Sequence, residues 1–114
     1  MLQTEVPPIV TDEDGDINIY PSADEAQRDM EAIDVRDGVY MVFDSKGNRL
    51  AVTTEGEAVR IEIDPTSSTD PDDLARRLRQ FILRVGPERV GLADPENAGL
   101  QELVDSVAAF LGSK

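Results

Sequence analysis

The run Val39-Tyr40-Met41-Val42-Phe43-Asp44-Ser45-Lys46-Gly47-Asn48-Arg49-Leu50-Ala51-Val52-Thr53-Thr54-Glu55-Gly56-Glu57-Ala58-Val59-Arg60-Ile61-Glu62-Ile63 decides the fold. Its first six residues form the most apolar of the three strands it contains and are rich in the β-branched and aromatic types that suit a pleated strand. Ser45-Lys46-Gly47-Asn48 then reads as a hairpin loop, and Arg49 to Thr54 as a returning strand. Glu55-Gly56-Glu57 makes a second tight turn into Ala58 to Ile63, where Val59, Ile61 and Ile63 alternate with Arg60 and Glu62. Three successive strands joined by short turns predict an antiparallel meander.

On the N-terminal side, Ile17-Asn18-Ile19-Tyr20 alternates as a strand. Ser22-Ala23-Asp24-Glu25 is a capping box, in which the Ser22 hydroxyl accepts from the Glu25 amide and Glu25 reaches back. The helix it opens is expected to run to about Ile33, with Ala26, Met30 and Ile33 on the inner face. Thr11 to Asp16 holds four acids and a glycine and reads as a turn, with Ile9-Val10 before it as a short edge. Pro7-Pro8 resists helix and central strand alike, so residues 1–8 read as a flexible tail.

On the C-terminal side, Pro65 through Thr69 reads as a linker within the domain. Asp70-Pro71 caps a helix whose Leu74, Leu78, Phe81, Ile82 and Val85 form one apolar stripe, ended by Gly86-Pro87. A last helix starts at Asp94-Pro95 or Asn97, lines up Leu100, Leu103, Val104, Val107 and Leu111, and closes at Gly112. The expected fold is α+β: a mostly antiparallel four-stranded sheet packed by helices, in the order β-α-β-β-β-α-α, with residues 9–114 as one domain.

The central strand is apolar on both faces. With Val39, Met41 and Phe43 towards the helices, Tyr40 and Val42 face the other way, joined by Tyr20. That second face reads either as a binding surface with tyrosine anchors or as a face that another helix covers.

Composition narrows the chemistry. The 114 residues contain no Cys and no His, which removes thiol nucleophiles, disulfides, Ser-His-Asp mechanisms and most transition-metal sites. The only lysines, Lys46 and Lys114, do not complete a Ser-x-x-Lys motif, and no glycine-rich phosphate loop occurs. Five aromatics without a Trp give little platform for a sugar, and among 24 acids any carboxylate pair is unspecific. Asp14, Asp16, Asn18 and Glu25 match positions 1, 3, 5 and 12 of a calcium loop. However, Ile19 stands where the loop needs glycine, and Pro21 follows. Arg76, Arg77, Arg79 and Arg84 read as a solvated helix face laced with ion pairs, since Asp72 and Asp73 stand four residues before the first two. No enzyme is expected, and no cofactor or metal.

The formal charge of −13 repels nucleic acid and anionic membranes and favours a basic protein partner. No apolar run approaches the roughly 20 residues of a membrane span. Met1 to Pro8 shows neither a basic region nor an apolar core, so the expected location is cytoplasmic. Residues 1–64 hold 16 acids against 5 bases, and residues 65–114 hold 8 against 6. A basic partner is therefore expected to meet the first half.

The run from Ile17-Asn18-Ile19-Tyr20-Pro21-Ser22-Ala23-Asp24-Glu25-Ala26 through Met30-Glu31-Ala32-Ile33-Asp34-Val35 to Gly38-Val39-Tyr40 and Phe43-Asp44-Ser45-Lys46-Gly47-Asn48-Arg49-Leu50 carries a resemblance. It resembles small acidic bacterial immunity proteins, the partners of polymorphic or contact-delivered toxins, over roughly the first half of the chain. The resemblance implies a cytoplasmic, non-enzymatic protein that binds one toxin domain and blocks it. It carries over no site residues, because such interfaces are individual. The charge and strand readings select Asp12, Glu13, Asp14, Asp16, Tyr20, Asp34, Asp37 and Tyr40 as the partner-binding residues. The alternatives are a small regulatory or assembly module that self-associates, as a homodimer, through an apolar sheet face, and a small enzyme of unrecognised type.

Overall fold

The structure is a computed structural model that describes residues 8–62 and 69–112. The expected tail, apart from Pro8, most of the expected linker and Ile63 lie outside the described residues. The chain is α+β, a four-stranded antiparallel sheet plus a hairpin with five helices packing on them. The elements are β1 (Ile9–Glu13), β2 (Asp16–Tyr20), α1 (Ala23–Asp29), α2 (Ala32–Arg36), β3 (Tyr40–Asp44), β4 (Arg49–Leu50), β5 (Val52–Glu55), β6 (Ala58–Ile61), α3 (Pro71–Val85), α4 (Pro87–Val90) and α5 (Leu100–Gly112). A 3-10 turn at Pro95–Asn97 precedes α5.

The sheet order is β2-β1-β3-β4, so Ile9-Val10 begins a central strand and not an edge. The expected turn over Thr11 to Asp16 is correspondingly too long. Thr11 and Asp12 are buried strand residues, and the turn is Asp14-Gly15 alone, with Glu13 paired to Asp16. Asp14 and Gly15 both have positive φ, 53° and 96°, as a type I′ hairpin requires. The run of acids hid a short Asp-Gly hairpin signal.

The capping box forms as expected: the Ser22 hydroxyl accepts from the Glu25 amide at 3.2 Å. The helix it opens stops at Asp29, however, and a second short helix follows. Met30 is extended and buried, and the break rotates Ile33 outward to 58% exposure while Ala32 is buried. The expectation of Ile33 on an inner face is therefore corrected. Two apolar anchors, Met30 and Ala32, reach the core better from a broken helix than from one straight cylinder.

The meander is also interrupted. Ala51 separates β4 from β5, and β5 pairs only with β6, in a two-stranded sheet of its own. This hairpin brings Val59 and Ile61 over Ile9, Val42 and Leu50. The element order is thus β-β-α-α-β-β-β-β-α-α-α in place of β-α-β-β-β-α-α.

Two cores result, one on each side of the sheet. On the first side, Val10, Ile17 and Phe43 pack with Leu74, Leu78, Phe81 and Ile82 of α3 and Leu103, Val104 and Val107 of α5. Burial of a side chain as complete as that of Phe43 or Leu78 stabilises by roughly 1.5–3 kcal/mol. On the second side, α1, α2, β5 and β6 cover Ile9 and Val42, with Tyr20 and Tyr40 packed at the margin. The sheet face on which self-association depended is therefore occupied from within the chain.

Candidate functional site

The β1–β2 hairpin and α3 define one end of the molecule. Asp12 points to the first core, 5% exposed, and accepts from the Gly15 amide and from Arg77 Nη1, each at 2.7 Å. Arg77 is shared with Asp73, at 3.0 Å from Nε. Burial works against the Asp73 carboxylate, but hydrogen bonds from Arg77 and Arg76 prevail and hold its pKa below the usual value. Arg84 donates to the Gly15 carbonyl at 2.7 Å and approaches Asp16 at 3.4 Å. Arg79 binds the carbonyls of Pro95 and Ala98, at 3.0 Å each. The expected ion pair from Asp73 to Arg77 forms, but the reading of these arginines as a solvated face is corrected, because Arg77, Arg79 and Arg84 tie α3 to other parts of the fold. Asp12 belongs to that framework and not to an open surface.

The other acids lie on the opposite sheet face. Register pairs Glu13 with Asp16 on one side and with Tyr40 on the other, forming a row across three strands. The α1–α2 break sets Glu31 and Asp34 against this row. Burial raises the pKa of Glu13, and Asp34, Asp14, Asp16 and Glu31 raise it further in that order. Burial also raises that of Tyr40, with Glu13 next, while a backbone hydrogen bond from Glu31 opposes the shift. No described cation forms an ion pair with Glu13, Glu31 or Asp34.

Of the eight residues selected from sequence, Glu13, Asp34 and Tyr40 are brought together, with Asp14 and Asp16 beside them at the exposed hairpin tip. Tyr20 shares the face but pairs with Ile9, four residues from Glu13 along β1, about 13 Å at strand spacing. Its hydroxyl donates to Asp29 at 3.0 Å, and burial together with that bond pushes its pKa well above the ordinary tyrosine value. Asp37 is an exposed residue at the end of α2, with no described contact to this group. Glu31 and Asp29 were missed, because a helix read straight through Met30 gives the two acids flanking the break no reason to face the sheet.

Among the described residues no three acids gather closely enough to hold a metal ion, and no helix is long and apolar enough to cross a membrane. Asp14, Asp16 and Asn18 are strung along a hairpin and do not wrap a cation. A cleft of about 600 Å³ opens between α1 and β6, lined by Asp24, Gln27, Arg28, Met30, Glu57 and Val59 among others.

No family model, no curated protein and no solved structure matches this chain.

Proposed function

We propose that this chain is an acidic, non-catalytic binding protein of the immunity type, which holds and blocks a basic toxin domain. The observation that carries the reading is the group Glu13, Glu31 and Asp34 around Tyr40. Burial and the neighbouring Asp34 and Glu31 raise the proton affinity of Glu13, and no described cation pairs with any of the three. Such crowding costs the isolated fold stability, and a cationic partner would relieve it. The contrast with the α3 side of the same hairpin supports this reading, since Asp12 and Asp16 are already answered by Arg77 and Arg84. Tyr40 supplies the aromatic anchor that interfaces favour, and the charge of −13 speeds encounter with a basic surface. The same charge repels nucleic acid and anionic membranes, and the binding role needs no cofactor. It is a role for a cytoplasmic protein.

The test uses two baits, the wild-type chain and a Glu13→Gln/Glu31→Gln/Asp34→Asn variant, against lysate of the source cells with low- and high-salt washes. The expected result is one basic protein held stoichiometrically by the wild type. Expressed alone it arrests growth, and the wild-type chain relieves the arrest. Its association rate with the variant falls about tenfold or more and loses most of its salt dependence. Recovery of the bait alone, or equal capture by the variant, overturns the proposal.

A further inference from the structure

The hairpin β5–β6 closes through a two-residue turn, Gly56-Glu57, with Glu55 paired to Ala58. Gly56 has φ 64°, at the first turn position where a type II′ hairpin places glycine. Tight closure makes Glu55–Ala58 and Thr53–Arg60 the hydrogen-bonded pairs, and the Glu62 amide bonded to the Ala51 carbonyl at 2.9 Å continues that alternation. The backbone groups of Val59 and Ile61 must then point away from β5, towards α1. Ile61 shows this directly, because its amide donates to Gln27 Oε1 of α1 at 2.8 Å. Two residues earlier, Val59 has the same orientation, and no described residue accepts from its amide. Val59 is only 6% exposed and lines the α1–β6 cleft. Backbone donors this deep are nearly always paired. A side chain thus imitates a neighbouring strand at one position, and the next position along the same edge opens into the cleft.

We propose that the cleft receives a short extended segment of the protein partner, which pairs with the outer edge of β6 at Val59. Added strands bind by their main chain and gain selectivity from flanking side chains. Asp24, Arg28 and Glu57 line this cleft with the apolar Met30 and Val59. Glu57 meets Arg36 at 3.6 Å, while no described cation pairs with the Asp24 carboxylate. The segment therefore carries an apolar residue next to one lysine or arginine that reaches Asp24. Gln27 blocks extension past Ile61 and limits the pairing to about three residues. The charge of the segment rests on the proposed basic partner, whereas its extended backbone rests on β6 alone.

The probes are the capped peptide Val-Lys-Val-Arg-Val, its glutamate counterpart Val-Glu-Val-Glu-Val, and a copy of the first peptide with alternate backbone nitrogens methylated. Amide exchange and 15N chemical shifts of the full chain are followed up to millimolar peptide. In the free protein the Val59 amide is expected to exchange at least about tenfold faster than that of Ile61. The cationic peptide should slow Val59 by a similar factor and shift Val59, Gln27 and Glu57, the methylated copy should do neither, and the acidic peptide should bind much more weakly. Shifts centred on Glu13, Glu31 and Asp34 without Val59 overturn the strand pairing and leave the basic partner standing. Equal binding of the acidic peptide overturns the charge assignment, and no change at Val59 with any peptide overturns the site.

Discussion

Arg77 sits at the junction of two carboxylates and an aromatic ring. Its guanidinium binds Asp12 and Asp73 and lies 5.9 Å from the centre of the Phe43 ring. Asp12 is the more buried partner, so removal of the cation leaves an unanswered charge beside the first core. Breaking such a pair costs more than the pair itself contributes. Arg77→Met is accordingly expected to destabilise by about 3 kcal/mol, whereas Asp12→Asn, which keeps one acceptor oxygen and turns its NH2 towards the other donor, should cost about 2 kcal/mol. Urea unfolding midpoints at pH 7 check both values. At this scale the sequence was half legible. Asp73 to Arg77 is a spacing of four on one helix, but Asp12 to Arg77 spans 65 positions, and no local pattern announces it.

At the scale of elements, short loops locked onto helices hold the sheet. Asp44 gathers the loop Ser45 to Asn48 by accepting from the amides of Lys46 and Asn48 at 2.9 and 3.0 Å and from Asn48 Nδ2 at 2.9 Å. Gly47, at φ 91°, lies so close to the start of α3 that an added Cβ would meet the backbone of Pro71. Its carbonyl accepts from Asp70, the residue that caps α3. Gly47→Ala is expected to cost more than about 2 kcal/mol, with strain and overlap combined. Gly56→Ala, with φ 64° and open space around it, should cost about 1 kcal/mol. Thermal unfolding of the pair separates overlap from φ strain. The sequence identified Ser45 to Asn48 as a loop and Asp70-Pro71 as a helix start, yet it could not show that the two touch. It likewise read α3 correctly through its stripe from Leu74 to Val85, and misread α1–α2, where packing of Met30 and Ala32 overrides helical continuity.

At the scale of the whole molecule, the acidity is unevenly answered. The α3 side supplies Arg77 and Arg84 to the hairpin, while on the α2 side Glu13 stands among Asp34 and Glu31 with no described cation paired to it. Salt shortens the reach of this repulsion, so the unfolding temperature is expected to rise by a few degrees between about 10 mM and 500 mM NaCl. The pH dependence has a matching sign. A raised carboxyl pKa in the folded state means that folding favours the protonated form, so Glu13 adds stability as pH falls from 7 through its folded value. Asp73 acts oppositely, because its lowered pKa contributes stability that is lost as pH falls below its ordinary value of 3.8. Calorimetry across pH 4.5 to 7 should therefore show stability rising towards the acidic end. A flat or reversed profile would remove Glu13 as a site of like-charge crowding.

The amino-acid sequence by itself determined the α+β class, the stripe of α3, the caps at Ser22 and Asp70, and which residues of β3 share a face, because periodicity and capping are local properties. It also selected Glu13, Asp34 and Tyr40 through charge and strand parity. Only the tertiary structure decided that Ile9–Glu13 is central, that the Tyr40 face is covered by α1, α2 and the β5–β6 hairpin, and that Asp12 turns inward to Arg77. Those outcomes depend on which distant surfaces bury the most apolar area together, and on whether a charge finds its partner across the core.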